Sequence, residues 1–137
     1  MKIKNGALEL LETSQVLKNL FEAKDIPIEV SFRLAEFAYK LEGPVKIYIS
    51  EKQKLVKRFA DRDQHNKLVV QNGQYIVTKK TEAFATEWQK LADMEIDIDK
   101  PTIQLGPWAQ GRISTKDMRE LSVLIRFTFQ KNNLKLD

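Results

Sequence analysis

The chain reads as an α+β domain, a helical hairpin whose long helix packs on a small antiparallel sheet. Three observations predict it. Leu34, Phe37, Leu41, Val45, Tyr48, Leu55 and Phe59 keep a near-heptad spacing through residues 28–61. Asn72-Gly73, flanked by Leu68-Val69-Val70 and Tyr75-Ile76-Val77, is the pair a two-residue type I′ turn favours, because both central positions need positive φ. Met94-Glu95-Ile96-Asp97-Ile98-Asp99 alternates strictly, as a strand with one wet face does.

The elements follow in order. Ile3 opens a short apolar start that Asn5-Gly6 ends, and Leu8, Leu11, Leu17, Leu20 and Phe21 predict one amphipathic helix over residues 7–24. Asp25-Ile26-Pro27 breaks it, since proline removes a donor and turns its predecessor away from helical backbone. Gly43-Pro44 falls inside the long segment and has two readings, a split into two helices or one bent helix. Pro44 forfeits the bond to the Lys40 carbonyl at about 3 kcal/mol. The apolar stripe stays in phase across it, which favours a single helix.

After the hairpin, Phe84, Trp88 and Leu91 with Ala85 and Ala92 predict a helix over residues 81–93. Pro101 interrupts the alternating strand, and Ile103-Gln104-Leu105 resumes an extended pattern. Ser114 and Asp117 have capping-box spacing, with Ile113 and Met118 as a hydrophobic staple, so a helix starts at Thr115. Ile125 to Phe129 alternates like a strand, and Lys131-Asn132-Asn133 reads as a fraying polar tail.

A length of 137 residues with 42% hydrophobic content suits a single domain spanning residues 1–137. The absence of cysteine excludes disulfides and thiolate metal sites. No apolar run follows the first residues as in a secretory signal, and none approaches the roughly 18 residues of a membrane span. A soluble chain without membrane association is expected.

Charge is uneven. Residues 51–80 carry eight basic side chains (Lys52, Lys54, Lys57, Arg58, Arg62, Lys67, Lys79 and Lys80) against three acidic, a net of +5. Residues 81–105 carry six acidic against two basic, a net of −4. Such blocks guide an acidic partner or head-to-tail association, although solvated helix faces produce them too.

Catalytic signals are thin. His65 is the sole histidine, which rules out a zinc site with two imidazoles. Its run, Asp61-Arg62-Asp63-Gln64-His65-Asn66, lacks the glycine and distal glutamate of a calcium loop and reads as a polar linker. Glu95, Asp97 and Asp99 share one strand face, a geometry open to acid–base work but commoner as a solvated, edge-protecting face. Gly106 to Arg112 has no P-loop spacing, and Trp108 within it is either an interface contact or a core residue. No catalytic residue, metal or cofactor is expected. The candidate binding patch is Lys54, Lys57, Arg58, Arg62 and Lys67, where three cations on one helical face could neutralise phosphates.

The order of certain pieces carries a resemblance. These are Ile3-Lys4-Asn5-Gly6, the run from Ile26 to Ala35, the run from Glu51 to Phe59, Asn72-Gly73-Gln74-Tyr75, Thr81-Glu82-Ala83-Phe84 leading to Glu95-Ile96-Asp97-Ile98, and Ile113 to Asp117. Together they resemble a family of small, functionally uncharacterised proteins from bacteriophages and prophages of Gram-positive bacteria, with Gly43-Pro44 as a departure. The resemblance implies a phage origin, no catalytic residue, and a place in the virion or beside the tail genes. The expectation is a non-enzymatic phage protein, in the host cytoplasm or the virion, that self-associates or binds another phage or host protein. The alternative is an accessory protein that binds a host factor or nucleic acid through the basic patch.

Overall fold

In the computed structural model, residues 2–129 are described. The chain order is strand β1 (Lys2–Lys4), a 3₁₀ turn (Asn5–Glu9), helices α1 (Leu10–Thr13), α2 (Gln15–Glu22) and α3 (Ile28–Phe59), and hairpin strands β2 (Val70–Gln71) and β3 (Gln74–Tyr75). Helix α4 (Thr81–Asp93), strands β4 (Glu95–Asp99) and β5 (Thr102–Leu105), a 3₁₀ turn (Pro107–Ala109), helix α5 (Thr115–Leu121) and strand β6 (Arg126–Phe129) complete it. The fold is α+β, with α3 and α4 packed together across the hairpin. The polar tail read at Lys131-Asn132-Asn133 lies outside the described residues.

Helix α3 runs unbroken through Gly43-Pro44 for 32 residues. Val30, Leu34, Phe37, Leu41 and Tyr48 are buried along one face on both sides of Pro44, with Val45 half-buried between them. Each such side chain contributes about 1.5–3 kcal/mol on burial, so the stripe together outweighs the proline's cost of about 3 kcal/mol. The helix stops at Phe59, two residues earlier than the spacing suggests. Ala60 is extended, and Asp61 bonds instead to the returning hairpin strand, its N–H donating to the Ile76 carbonyl at 2.8 Å.

The single helix expected over residues 7–24 is divided. Ser14 is extended and buried, and its hydroxyl accepts the Leu17 N–H at 3.1 Å as the N-cap of α2. A serine hydroxyl competes with the helical backbone, and here the competition ends α1 and starts α2 at a new angle. Asn5, which ends β1, is buried. Its side chain donates to the Leu91 carbonyl at 2.9 Å, and its N–H donates to the Met94 carbonyl at 2.9 Å. The first adds to the bond that the Leu91 carbonyl accepts from the Met94 N–H at 3.3 Å, and the second satisfies the carbonyl of the capping residue beyond α4. Gly6 next to it allows close approach, since a Cβ there would lie 3.4 Å from the Ala92 side chain and carbonyl.

The sheet is three separate two-stranded pairs. β1 and β4 are antiparallel with Ile3 opposite Ile96 and Lys4 opposite Glu95, and a register shift lies between Lys2 and Ile3. β2 and β3 form the expected hairpin, with Asn72 at φ 52° and Gly73 at φ 77°. β5 and β6 are parallel, with Ile103 opposite Phe127 and Leu105 opposite Phe129. The parallel pair departs from the expected antiparallel sheet. Its cause is the connection, because α5 and the turn at 107–109 form the long crossover a parallel pair requires. At α5 both capping-box bonds are made, Asp117 N–H to the Ser114 hydroxyl at 3.1 Å and Ser114 N–H to the Asp117 carboxylate at 2.9 Å.

Candidate interaction surfaces

Helix α3 is apolar on two opposite faces. Besides the buried stripe it exposes Ile28 at 77%, Phe32 at 62%, Tyr39 at 76% and Ile47 at 66%. At 100° per residue Ile28, Phe32 and Tyr39 sit nearly opposite Leu34, Phe37 and Leu41, and Ile47 lies to one side of them, about 100° round from Ile28. Their spacings of four, seven and eight residues were the sequence signal for this second face, and it lies outside the stripe that predicts the helix. Scattered exposed apolar residues are ordinary, whereas several on one side of a helix make it a candidate contact surface. Toward the C-terminal end of α3 the hairpin closes this face. Ser50, Gln53, Lys54, Val56 and Lys57 face Gly73, Gln74 and Tyr75 across a cleft of about 660 Å³.

That cleft divides the predicted basic patch. Lys54 and Lys57 line it. Lys54 meets only the exposed Glu51 at 3.0 Å, and Lys57 has no ion-pair partner among the described residues. Arg58, Arg62 and Lys67 line no part of it. Arg58 turns toward α4, 3.5 Å from Glu87 and 4.7 Å over the Phe59 ring. Arg62 donates to the Asn66 carbonyl at 3.0 Å and holds its own loop. Lys67 stays exposed on that loop with its N–H donating to the Asp63 carboxylate at 3.0 Å. Tyr75, absent from the sequence-derived patch, is the aromatic the fold supplies beside the two lysines. Only the hairpin's folding back along α3 brings it there.

Lys52, adjacent in sequence to this patch, turns inward. Its ammonium reaches the Glu9 carboxylate at 2.8 Å and lies 4.4 Å from the Tyr48 ring centre and 5.7 Å from that of Trp88. Burial pushes the Tyr48 phenol up to about 12, and its hydrogen bond to the Glu9 carboxylate, with that group's charge, adds to the shift. This polar knot joins the 3₁₀ turn, α3 and α4. It is a tether, since each group is committed to another within the fold.

The run from Asp61 to Asn66 is likewise committed to structure. Asp61 is buried and accepts the Thr78 hydroxyl, the Thr78 N–H at 3.0 Å and the Lys79 N–H at 3.3 Å. The Thr78 bonds hold its carboxyl below the usual carboxylate range, with the Lys79 N–H and charge in support. Asp63 accepts the N–H groups of His65 at 2.8 Å and Lys67, and so orders the loop. Among the described residues no three His, Cys, Asp or Glu side chains converge as a metal site would require.

On the acidic strand, Lys2 bridges Asp97 at 2.8 Å and Asp99 at 3.4 Å across the β1–β4 pair. The hydrogen bond from Lys2 holds the Asp97 carboxyl down. Trp108 lies half-buried against the core, which decides between its two sequence readings in favour of packing. Its carbonyl accepts Arg112 Nε at 3.1 Å while the Arg112 guanidinium pairs with Asp25. Among the described residues no helix is long and apolar enough to cross a membrane. No protein-family model matches the chain, and no curated protein or solved structure matches it.

Proposed function

We propose that the chain is a non-enzymatic phage protein that acts through protein–protein contacts, and that the outer face of α3 is its contact surface. The observation that carries this reading is the row of exposed Ile28, Phe32 and Tyr39 along one side of α3, with Ile47 exposed beside it. Covering such a face removes apolar area from water at about 25 cal/mol per Å², while the helix behind it has little freedom left to lose. The test is cross-linking in the cells that make the protein, read by mass spectrometry at Lys40 and Lys46, both exposed among the stripe residues. The expected result is links from these lysines to a second polypeptide, lost when Phe32 and Ile47 are both replaced by aspartate. The absence of any such link in the wild type removes the reading. The phage setting is supported by the sequence resemblance and has its own check, detection of the chain in purified virions or beside tail genes.

A second reading rests on the cleft at the helix–hairpin junction. Lys54 and Lys57 can meet phosphates while Tyr75 offers a ring for base stacking, the combination that single-stranded nucleic acid requires. Binding to an oligonucleotide should weaken with salt at about 0.7 log units per log unit of salt for each phosphate contacted. Combined Lys54→Glu and Lys57→Glu should abolish it, and Tyr75→Ala should weaken it with little change in the salt slope. Binding that survives the charge reversal excludes this cleft.

A further inference from the structure

We infer that the occupant of the α3 outer face is a second copy of this chain, laid antiparallel about a two-fold axis level with Ala38. The inference rests on the contact-surface reading above and names its partner. In such a pair, residues whose numbers sum to about 76 lie level with each other, and an isologous interface makes every contact twice.

Charge supports the register. Glu36 and Lys40 are both exposed and lie one helical turn apart on the same edge of the stripe. Antiparallel pairing sets Glu36 of each copy beside Lys40 of the other. A parallel in-register two-fold pair sets this edge of the two helices on opposite sides of the seam, where neither charge meets its opposite. The only intramolecular ion pair either makes among the described residues is the long 3.9 Å approach of Arg33 to Glu36.

Shape supports it independently. Phe32 comes within one residue of the level of Gly43, where a Cβ would point into open space, clear of every other part of the described fold by 4 Å. An exposed ring therefore comes near the one position on the face without a side chain. Ile28 comes within one residue of the level of Ile47, so both ends of the open stretch carry an exposed apolar side chain.

Length supports it a third time. The partner helix begins at Ile28, level with Tyr48, and the hairpin closes the face from Ser50 onward. The open stretch from 28 to 48 is about 30 Å long at 1.5 Å per residue, and the same stretch of a second copy fills it.

The experiment uses the intact chain and exploits its lack of cysteine. Light scattering against concentration should show the mass rising from 15.9 kDa toward twice that value. An equal mixture of Glu36→Cys and Lys40→Cys variants should form the mixed disulfide at least about tenfold faster than either variant forms its own. Glu36→Lys and Lys40→Glu should each weaken association about tenfold, and together restore it. Phe32→Asp should give a monomer whose circular dichroism matches the parent, since Phe32 is exposed in the protomer. Mass constant at one protomer, or faster cross-linking between identical positions, overturns the antiparallel pair. A monomeric pure protein that still cross-links from α3 to a different polypeptide in cells removes the self-pairing and leaves the contact-surface reading standing. Loss of both signals removes both.

Discussion

Single side chains decide how the connecting segments are held. Asp61 fixes the return of the hairpin to the end of α3 through Thr78 and Lys79, and its carboxyl is depressed in the fold. A depressed carboxylate stabilises the fold fully above its unfolded value of about 3.9, and that contribution is lost as pH falls through the lower folded value. Asp61→Asn should therefore lower the melting temperature at pH 7, and the gap from wild type should close below about pH 4 in parallel thermal melts. Tyr48 has the opposite sign. Its phenol is raised to about 12, so the fold keeps its proton while the unfolded chain releases it near 10. Stability should fall between about pH 10 and pH 12, and Tyr48→Phe should remove that component from an alkaline titration. At the N-cap of α2, Ser14→Ala should cost about 1 kcal/mol in urea denaturation by orphaning the Leu17 N–H.

Among the elements, α3 carries the most conflict between local preference and tertiary demand. Pro44 is incompatible with an ideal helix interior, yet α3 continues because the buried stripe spans the defect. Pro44→Ala should stabilise the protein by about 1–2 kcal/mol, since it restores the lost backbone bond while the unfolded chain gains some freedom. A destabilised variant in chemical denaturation would show instead that the proline shapes the packing. The hairpin is the converse case, where local chemistry and structure agree. Asn72 and Gly73 both take positive φ, and Gly73→Ala should cost about 1–2 kcal/mol with loss of amide protection at Tyr75. Helix α5 shows the same agreement through its capping box.

At the scale of the whole molecule, one core gathers residues from both ends of the described chain. Ile3 and Leu17 are buried with Leu41, and Leu105, Leu121, Leu124 and Ile125 complete the same cluster. Leu121→Ala should destabilise the fold by about 2–5 kcal/mol in a single cooperative transition, because its cavity lies in a core shared by every layer. Separate transitions for the helical hairpin and the C-terminal unit would contradict a shared core. The same core leaves one face of α3 uncovered among the described residues, and the contact proposed above is placed on that face.

What depends on near neighbours is legible in the chain before it folds. The buried stripe of α3, the Asn72-Gly73 turn, the alternation of β4 and the Ser114 cap are local patterns, and each stands in the fold where its residues place it. Tertiary structure alone decided the rest. The break at Ser14, the parallel pairing of β5 with β6 and the inward turn of Lys52 depend on groups distant in the chain, which no periodicity reports. The predicted basic patch divided for the same reason, since Arg58 found Glu87 on α4 while Lys54 and Lys57 found Tyr75. The stripe through Leu34, Phe37 and Leu41 is the face that periodicity reports in α3, while exposed Ile28, Phe32 and Tyr39 form a second. Only packing, by burying one and leaving the other in water, selects which of them is free to bind.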